Sequence, residues 1–378
     1  MGQQILAGLA MIALLLIHGP EARARDVFTV DSGLIEAVAA TELAAKEQVF
    51  IRARQLGFQT LVQRLTMPRH KAISIDDDAI AALIDTTTIR DEAFGGGLYR
   101  AGFELHFNRQ RLQNLLHSHG ISYVDTVAAP ILVLPLIQHA MKGDGWSLWQ
   151  EPGWLASWTR LSDPDGLVPI RIPAGDATDR QLARPEAIWQ HDSQSLAAIA
   201  QRYRTGAIMI ATARITDPAH DGAAMMLDVT FKVIGPQWAG RQTKMRLQLA
   251  PDMSLEAGLD LAANKLVKRL ETRWKQARLI AFDQQIQTQT VVIRPDSLHQ
   301  LVRVQAILQD LARIRALRLN TVRINRAEIE LDFYGGIEDL KRDLSDFDIR
   351  IIAPSASSQT QPQAGPDAWQ LVLGRSFL

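Results

Sequence analysis

The spacing of apolar residues predicts helices and strands in the first third of the chain. Apolar residues recur at intervals of three and four over residues 42–65, which predicts a long helix. A short helix is predicted over 78–84, behind an acidic run that suits a helix N-terminus. Residues 99–107, "YRAGFELHF", alternate between apolar and polar, which is typical of a half-buried strand. With a further helix over 109–120, these elements indicate a first α+β domain, residues 25–125.

The middle of the chain combines continuous apolar runs with helical segments. Residues 131–137, "ILVLPLI", and 206–215, "GAIMIATARI", predict strands that are covered on both faces. The run 167–173 contains two prolines, which cannot donate ladder hydrogen bonds, so we expect it at a sheet edge. The segments "MMLDVTFKV" and "KMRLQL" alternate strictly and predict antiparallel strands, and a long helix is predicted after Pro251. These elements predict a middle α/β domain, residues 126–282.

The last part of the chain, residues 283–378, reads strand, helix, strand, strand, helix, strand. That order predicts a ferredoxin-like βαββαβ domain. Residues 354–368, "PSASSQTQPQAGPDA", are too polar to pack and are expected to form a flexible insert before a final strand, "WQLVLG". The expected fold class is therefore α+β and multi-domain, with mixed α/β layers followed by the ferredoxin-like domain.

The first 24 residues have the layout of an export signal. An apolar run from Ile5 to Ile17 is followed by a Gly-Pro pair and by Ala22-Arg23-Ala24, which places a predicted cleavage site near Ala24. The run has 13 residues, fewer than the roughly 20 that a membrane-spanning helix needs. No Lys or Arg precedes it, so an uncleaved anchor remains an alternative. We expect a periplasmic protein without a transmembrane segment in its mature chain.

Charge and cysteine content narrow the function classes. There are 41 basic residues (Lys and Arg) and 41 acidic residues (Asp and Glu). This balance argues against a general nucleic-acid binder, because such a protein needs a positive surplus. The chain has no cysteine, which excludes disulfides and thiol catalysis. A basic cluster on the predicted helix after Pro251 is either a solvated face or a docking patch for an acidic partner or anionic headgroups. Its members are Lys265, Lys268, Arg269, Arg273 and Lys275.

Half of the eight tryptophans lie in one short segment, at Trp146, Trp149, Trp154 and Trp158. Aromatic rings with a polar edge can stack on sugars or peptides, so these residues are candidate binding residues. The alternative is that Trp154 and Trp158, one helical turn apart, cover the core. Trp146 and Trp149 lie in a loop that contains glycine and are expected to be the more exposed pair.

Outside the tryptophan segment, the signals for catalytic or metal-binding residues are weak. Asp176 follows a predicted edge strand, where α/β proteins often bind ligands, and could pair with Asp179; a structural turn is the alternative. A hydrolase centred on Asp176, His191 and Ser193 lacks a nucleophile-elbow motif. Two histidines two apart on a helix, His117 and His119, point in different directions and chelate poorly. We therefore expect no catalytic residue, no metal and no cofactor.

Several segments together resemble an exported bacterial family known as domain of unknown function 2066. They are, in order, "LVQRLT", "LYRAGFELHF", "APILVLPLI", the tryptophan-rich loop, "GLVPIRIPAGDATD" and "AIAQRYRTGAIMIATA". The middle region is also similar to α/β envelope modules at the N-terminus of the TolB translocation protein and in curli-secretion and penicillin-binding-protein activator lipoproteins. This resemblance implies an assembly or scaffolding role at the cell envelope.

Two functions remain open. The first is a non-catalytic, exported accessory module that contacts another envelope protein. The second is a receptor for a small ligand or a cell-wall fragment that uses the tryptophan loop, residues 146–158.

Overall fold

The computed structural model of the chain describes residues 26–68, 73–139, 145–149, 153–161, 166–216, 224–238, 242–280, 286–323, 325–354 and 369–374. The predicted export signal and residues 355–368 of the predicted insert lie outside these ranges. Within them, three β-sheets and ten helices form an α+β, multi-domain fold, as predicted. No helix among the described residues is both long enough and apolar enough to cross a membrane.

The first sheet is antiparallel, with strand order β1-β3-β2. Its elements are β1 (Thr29–Val38), α1 (Glu42–Leu65), α2 (Asp77–Ala82), β2 (Ile84–Gly95), β3 (Leu98–Phe107) and α3 (Arg109–Ser118). Helix α1 has the predicted ends, and the Thr41 side chain caps it by accepting the Ala44 N–H. It lies so close to β3 that a Cβ at Gly57 would be 2.5 Å from Leu105 Cδ1. The alternating face predicted for β3 is therefore the face buried under α1.

The second sheet is mixed, with strand order β5-β4-β6-β7-β8. Strands β4, β5 and β6 are parallel, whereas β6, β7 and β8 are antiparallel neighbours. Its strands are β4 (Ile131–His139), β5 (Ile170–Arg171), β6 (Ala207–Thr216), β7 (Met226–Ile234) and β8 (Thr243–Gln248). Its helices are α4 (Trp154–Arg160), α5 (Ala177–Leu182), α6 (Pro185–Trp189), α7 (Ser193–Arg202) and α8 (Leu255–Arg278). The predicted edge position of β5 is confirmed.

A proline inside β4 is accommodated by the edge that this strand presents. Ile131 donates its N–H to Pro169, and Ile137 exchanges hydrogen bonds of 2.8 Å with Ser147, both away from β6. Pro135 is an even number of residues away from both Ile131 and Ile137, so its backbone nitrogen, which carries no hydrogen, points to the same edge of the strand. Since β5 pairs with β4 only at Ile131 and Leu132, no ladder hydrogen bond to β5 is lost.

The two halves of the second sheet are covered differently. Eight of the nine β4 residues are buried, because α4 packs on the strand from one side and α6 from the other. Strands β7 and β8 instead alternate, with the inner face on the core beneath α8 and the outer face partly or fully exposed. The outer helical layer therefore leaves part of the sheet surface open.

The third sheet contains the predicted order of strands and helices plus one strand in an unpredicted place. Its elements are β9 (Ile286–Ile293), α9 (Leu298–Asp310), β10 (Ile314–Arg323), β11 (Arg326–Tyr334), α10 (Ile337–Ser345), β12 (Ile349–Ile352) and β13 (Trp369–Leu373). The strand order is β10-β11-β9-β13-β12. In a four-stranded ferredoxin-like sheet the first and fourth strands are neighbours. Here β13 lies between them, parallel to β9, so the sheet departs from that arrangement.

The end of α8 connects the three sheets. The Lys275 ammonium donates to the Gln63 and Thr66 carbonyls at 2.8 and 3.0 Å, at the C-terminal end of α1. Trp274 donates its indole N–H to the Thr126 carbonyl. The Arg278 guanidinium contacts Asp346, just after α10, at 2.7 Å. One hydrophobic core extends across the predicted boundary between residues 125 and 126, and the division into domains there stays a prediction.

Candidate functional site

Two of the four candidate tryptophans belong to the core. Trp154 and Trp158 lie on the inner face of α4 and are essentially unexposed, with their rings edge to face at 5.4 Å. The Trp154 N–H donates to the Ala211 carbonyl of β6 at 3.1 Å. The core-covering interpretation is therefore the one that applies to this pair. The prediction that Trp154 and Trp158 are candidate binding residues is corrected, because a fully buried ring has no surface to offer a ligand.

Trp146 is half-buried and has an aromatic partner that the sequence did not suggest. The backbone bridge between Ile137 and Ser147 turns the loop after β4 back along the strand, so that Trp146 lies in the outer layer. Its ring stacks on Trp189, the last residue of α6, with centroids 4.4 Å apart and planes at 27°. Trp189 remains 41% exposed. The stacked pair forms one wall of a groove.

The floor of this groove is the open part of the second sheet. Strand register places Thr212, Thr230 and Lys244 in one row across β6, β7 and β8. It places Arg214, Asp228 and Arg246 in the next row. With the two tryptophans, these rows line a cavity of about 330 Å³, which we call the tryptophan groove.

Hydrogen bonds hold the polar groups of the floor in place. The Thr212 and Thr230 hydroxyls are 2.6 Å apart. Arg246 donates two hydrogen bonds to the Asp228 carboxylate, at 2.6 and 3.1 Å. Arg214 donates to Gln138 at 2.9 Å, and its guanidinium lies 5.9 Å from the centre of the Trp146 ring. The floor therefore presents fixed hydroxyl and guanidinium groups beside an aromatic wall.

The tryptophan groove is positively charged. Arg214, Lys244 and Arg246 contribute three positive charges to its lining and Asp228 one negative charge. Helix α8 covers the opposite face of the sheet, but its Arg269 reaches the edge strand β8 and donates to the Lys244 carbonyl at 3.2 Å. Lys275 does not belong to this surface, since it is buried against α1. The arrangement suits a ligand that combines a planar or apolar group with an anionic one.

Trp149 lies outside the tryptophan groove. It is half-buried and donates its N–H to the Ala183 carbonyl at 3.0 Å. Its ring covers Gly175, where φ is +72° and an added Cβ would be 3.4 Å from the ring. Trp149 thus packs against the turn before α5. It was expected to be exposed and is only partly so.

Asp176 stabilises the same turn before α5. Its carboxylate caps α5 by accepting the Asp179 N–H at 2.9 Å, and it pairs with Arg202 at 2.5 Å. The hydrogen bond from the Asp179 backbone, helped by Arg202, lowers the pKa of Asp176. Asp179 is fully buried and accepts hydrogen bonds from Gly175 and from the Tyr203 hydroxyl. Both carboxylates therefore stabilise local structure, and neither lines the tryptophan groove.

The remaining candidates are dispersed. His119 bonds within its own helix end, whereas His117 lies against Tyr334 of the third sheet. Asp192, next to His191, caps α7. In the described part of the chain, no three His, Asp or Glu side chains come close enough together to hold a metal ion.

Comparisons with known proteins add little. No protein-family model matches the chain, and no curated protein matches it in sequence. Among solved structures, a lipoprotein from Neisseria meningitidis, GNA1162, is similar over 38% of this chain and 96% of its own, at 17% identity and a TM-score of 0.25. A similarity this weak carries no argument about the fold or the function. The resemblances based on sequence segments stay predictions.

Proposed function

We propose that this chain is a non-catalytic protein exported to the periplasm, where it acts as an accessory module that binds another envelope protein. The observation that supports the proposal is the tryptophan groove, in which a stacked aromatic pair stands beside a positively charged sheet surface. The occupant that fits this surface is an acidic segment of the partner that also carries an aromatic or apolar side chain.

Charge complementarity favours such an acidic segment. The lining has a surplus of two positive charges, and Arg269 lies beside the edge strand β8, where it donates to the Lys244 carbonyl. A carboxylate can take a hydrogen bond from a guanidinium that already has a fixed position, which reduces the entropy lost on binding. An aromatic side chain can extend the stack of Trp146 and Trp189. The interaction is therefore expected to weaken as the salt concentration rises.

A peptide titration tests the groove directly. The probe is a short peptide with alternating Glu and Phe, compared with the same peptide carrying Gln in place of Glu, and binding is followed by tryptophan fluorescence and calorimetry. We expect the acidic peptide alone to bind. Trp189→Ala and Arg214→Gln should each weaken binding about tenfold, because each removes one favourable contact of about 1.5 kcal/mol.

A matched control distinguishes the groove from general charge. Arg318 lies on the third sheet and is ion-paired with Glu330, much as Arg246 is with Asp228. Arg318→Gln should bind the peptide as the parent does. Equal binding of the acidic and neutral peptides would contradict the proposal. A response to muropeptides without a response to peptides would replace it with the cell-wall receptor.

Export is tested separately by fractionation and mass spectrometry of the purified chain. We expect a periplasmic protein that begins near Arg25. Recovery of the full-length chain from the cytosol would contradict the proposed location.

A further inference from the structure

A second cavity, of about 450 Å³, lies where the three sheets meet. Residues from many separate parts of the chain line it, and we call it the junction cavity. Its charged lining residues are Asp26, Arg109, Asp125, Arg278, Asp310, Arg313, Asp343 and Asp346. Between them lie apolar side chains that include Val27, Ile280 and Leu311.

Four of these charges neutralise one another inside the protein. Arg278 contacts Asp346 at 2.7 Å and Asp343 at 3.4 Å, and its guanidinium lies 4.7 Å from the centre of the Trp274 ring. Arg313 contacts Asp343 at 2.5 Å. Buried ions persist in proteins when they are paired and hydrogen-bonded in this way. These two cations and two carboxylates therefore leave no net charge.

The rest of the lining is negative. Asp26, Asp125 and Asp310 line it together with the cation Arg109, which leaves a surplus of two negative charges in the lining; Asp26 also lies 3.4 Å from the His106 ring outside it. Asp125 is only 8% exposed, accepts a hydrogen bond from Gln113 at 3.1 Å, and has Arg109 no nearer than 4.0 Å.

The environment of Asp125 disfavours its ionised form. Burial raises the pKa of Asp125 to about 6, Arg109 and Gln113 oppose the rise, and the charge of Asp343 adds to it. The neighbouring Tyr123 is also buried, and its pKa is raised mainly by that burial. A cation placed in the cavity would compensate the charge that the protein leaves incompletely balanced.

We propose that the junction cavity binds a compact organic cation, an ammonium or guanidinium group on an aliphatic stem. The carboxylates match the cationic head, and the apolar side chains of Val27, Ile280 and Leu311 match the stem. A bare metal ion suits the site less well, because no three acidic or histidine side chains converge within the described ranges. The Arg109 side chain is 47% accessible, so part of the lining is in contact with solvent.

The same chemistry has two possible sources, a free molecule and the chain itself. Arg25 directly precedes Asp26, which lines the cavity. Cleavage after Ala24 would give Arg25 an α-ammonium group besides its guanidinium, and these two charges would balance the surplus. This second source rests on the proposed export, whereas the site itself does not.

Calorimetry with arginine amide as the probe and citrulline amide as its control, both acetylated on the α-amino group so that the control is neutral, tests the site at pH 7.5. The parent protein is measured in the form recovered from cells. It is compared with Asp125→Asn, with Arg25→Gln and with the matched control Asp332→Asn on the third sheet. Thermal melts verify that each variant is folded.

Binding of arginine amide to the parent, reduced at least tenfold in Asp125→Asn and unchanged in Asp332→Asn, supports a free cationic ligand. Binding to Arg25→Gln but not to the parent, and the loss of that binding when Arg25→Gln is combined with Asp125→Asn, identifies the chain's own terminus as the occupant. In either case the affinity should fall below about pH 6, as Asp125 takes up a proton. The proposal is overturned if neither the parent nor Arg25→Gln binds arginine amide, if citrulline amide binds equally, or if adding Asp125→Asn to the protein that binds leaves the binding unchanged.

Discussion

Trp154 allows the packing of α4 against the second sheet to be measured, and we predict that Trp154→Phe lowers the free energy of unfolding by about 2 kcal/mol. The ring is fully buried, and its N–H donates to Ala211 at 3.1 Å. Phenylalanine loses this hydrogen bond, which costs about 1 kcal/mol. The smaller ring also leaves a space of roughly 40 Å³, which at about 24 cal/mol per Å³ costs another ~1 kcal/mol.

The measurement is urea unfolding followed by circular dichroism. The slope of the transition should stay constant while the midpoint falls, because the same surface is exposed on unfolding. Trp189→Phe is the matched control: Trp189 is 41% exposed, so its replacement should change stability by less than about 0.5 kcal/mol. Equal costs for the two substitutions would refute the assignment of Trp154 to the core and Trp189 to the surface.

Three further predictions concern buried charges. Burial raises the pKa of Asp125 from 3.8 to about 6, so its contribution to stability is full below about pH 4 and is lost as the pH rises through 6. Asp125→Asn should therefore match the parent in urea melts near pH 4 and exceed it by as much as about 3 kcal/mol at pH 7. Lys275→Met removes two hydrogen bonds at the end of α1 and should cost about 2 kcal/mol, with faster hydrogen exchange at Thr66. Arg313→Met leaves the buried Asp343 without its 2.5 Å partner and should cost about 3 kcal/mol, against less than ~1 kcal/mol for the exposed Arg318→Met.

Elements with a strong apolar period were predictable from the sequence. Helix α1 has the predicted ends, Glu42 and Leu65, and the continuous apolar run of β4 is buried on both faces. Strand β2 was not predicted, because its residues from Asp85 to Glu92 are all exposed and give no alternating signal. This strand exists through its backbone pairing with β3, which periodicity in a single segment does not encode. The predicted short helix instead ends at Ala82, where β2 is about to begin.

The candidate site was predictable only in part. Trp146 stood out through local composition, but Trp189 and the charged rows join it only through strand register and the position of α6. Asp176 was singled out by its place after an edge strand, and the structure gives that carboxylate a helix-capping role. The place of β13 between β9 and β12 likewise depends on pairing between distant segments.

The contact between Lys275 and the Gln63 carbonyl joins residues that are 212 positions apart. The last carbonyls of a helix have no partner within it, so the end of α1 acquires this donor only when α8 is available. A chain emerges from a ribosome or a translocation channel with its N-terminus first. The end of α1 therefore lacks its hydrogen bonds to Lys275 until α8 has also emerged. During that interval its apolar surfaces are open to wrong associations, so a holding chaperone would benefit this protein more than one whose early segments complete their own cores.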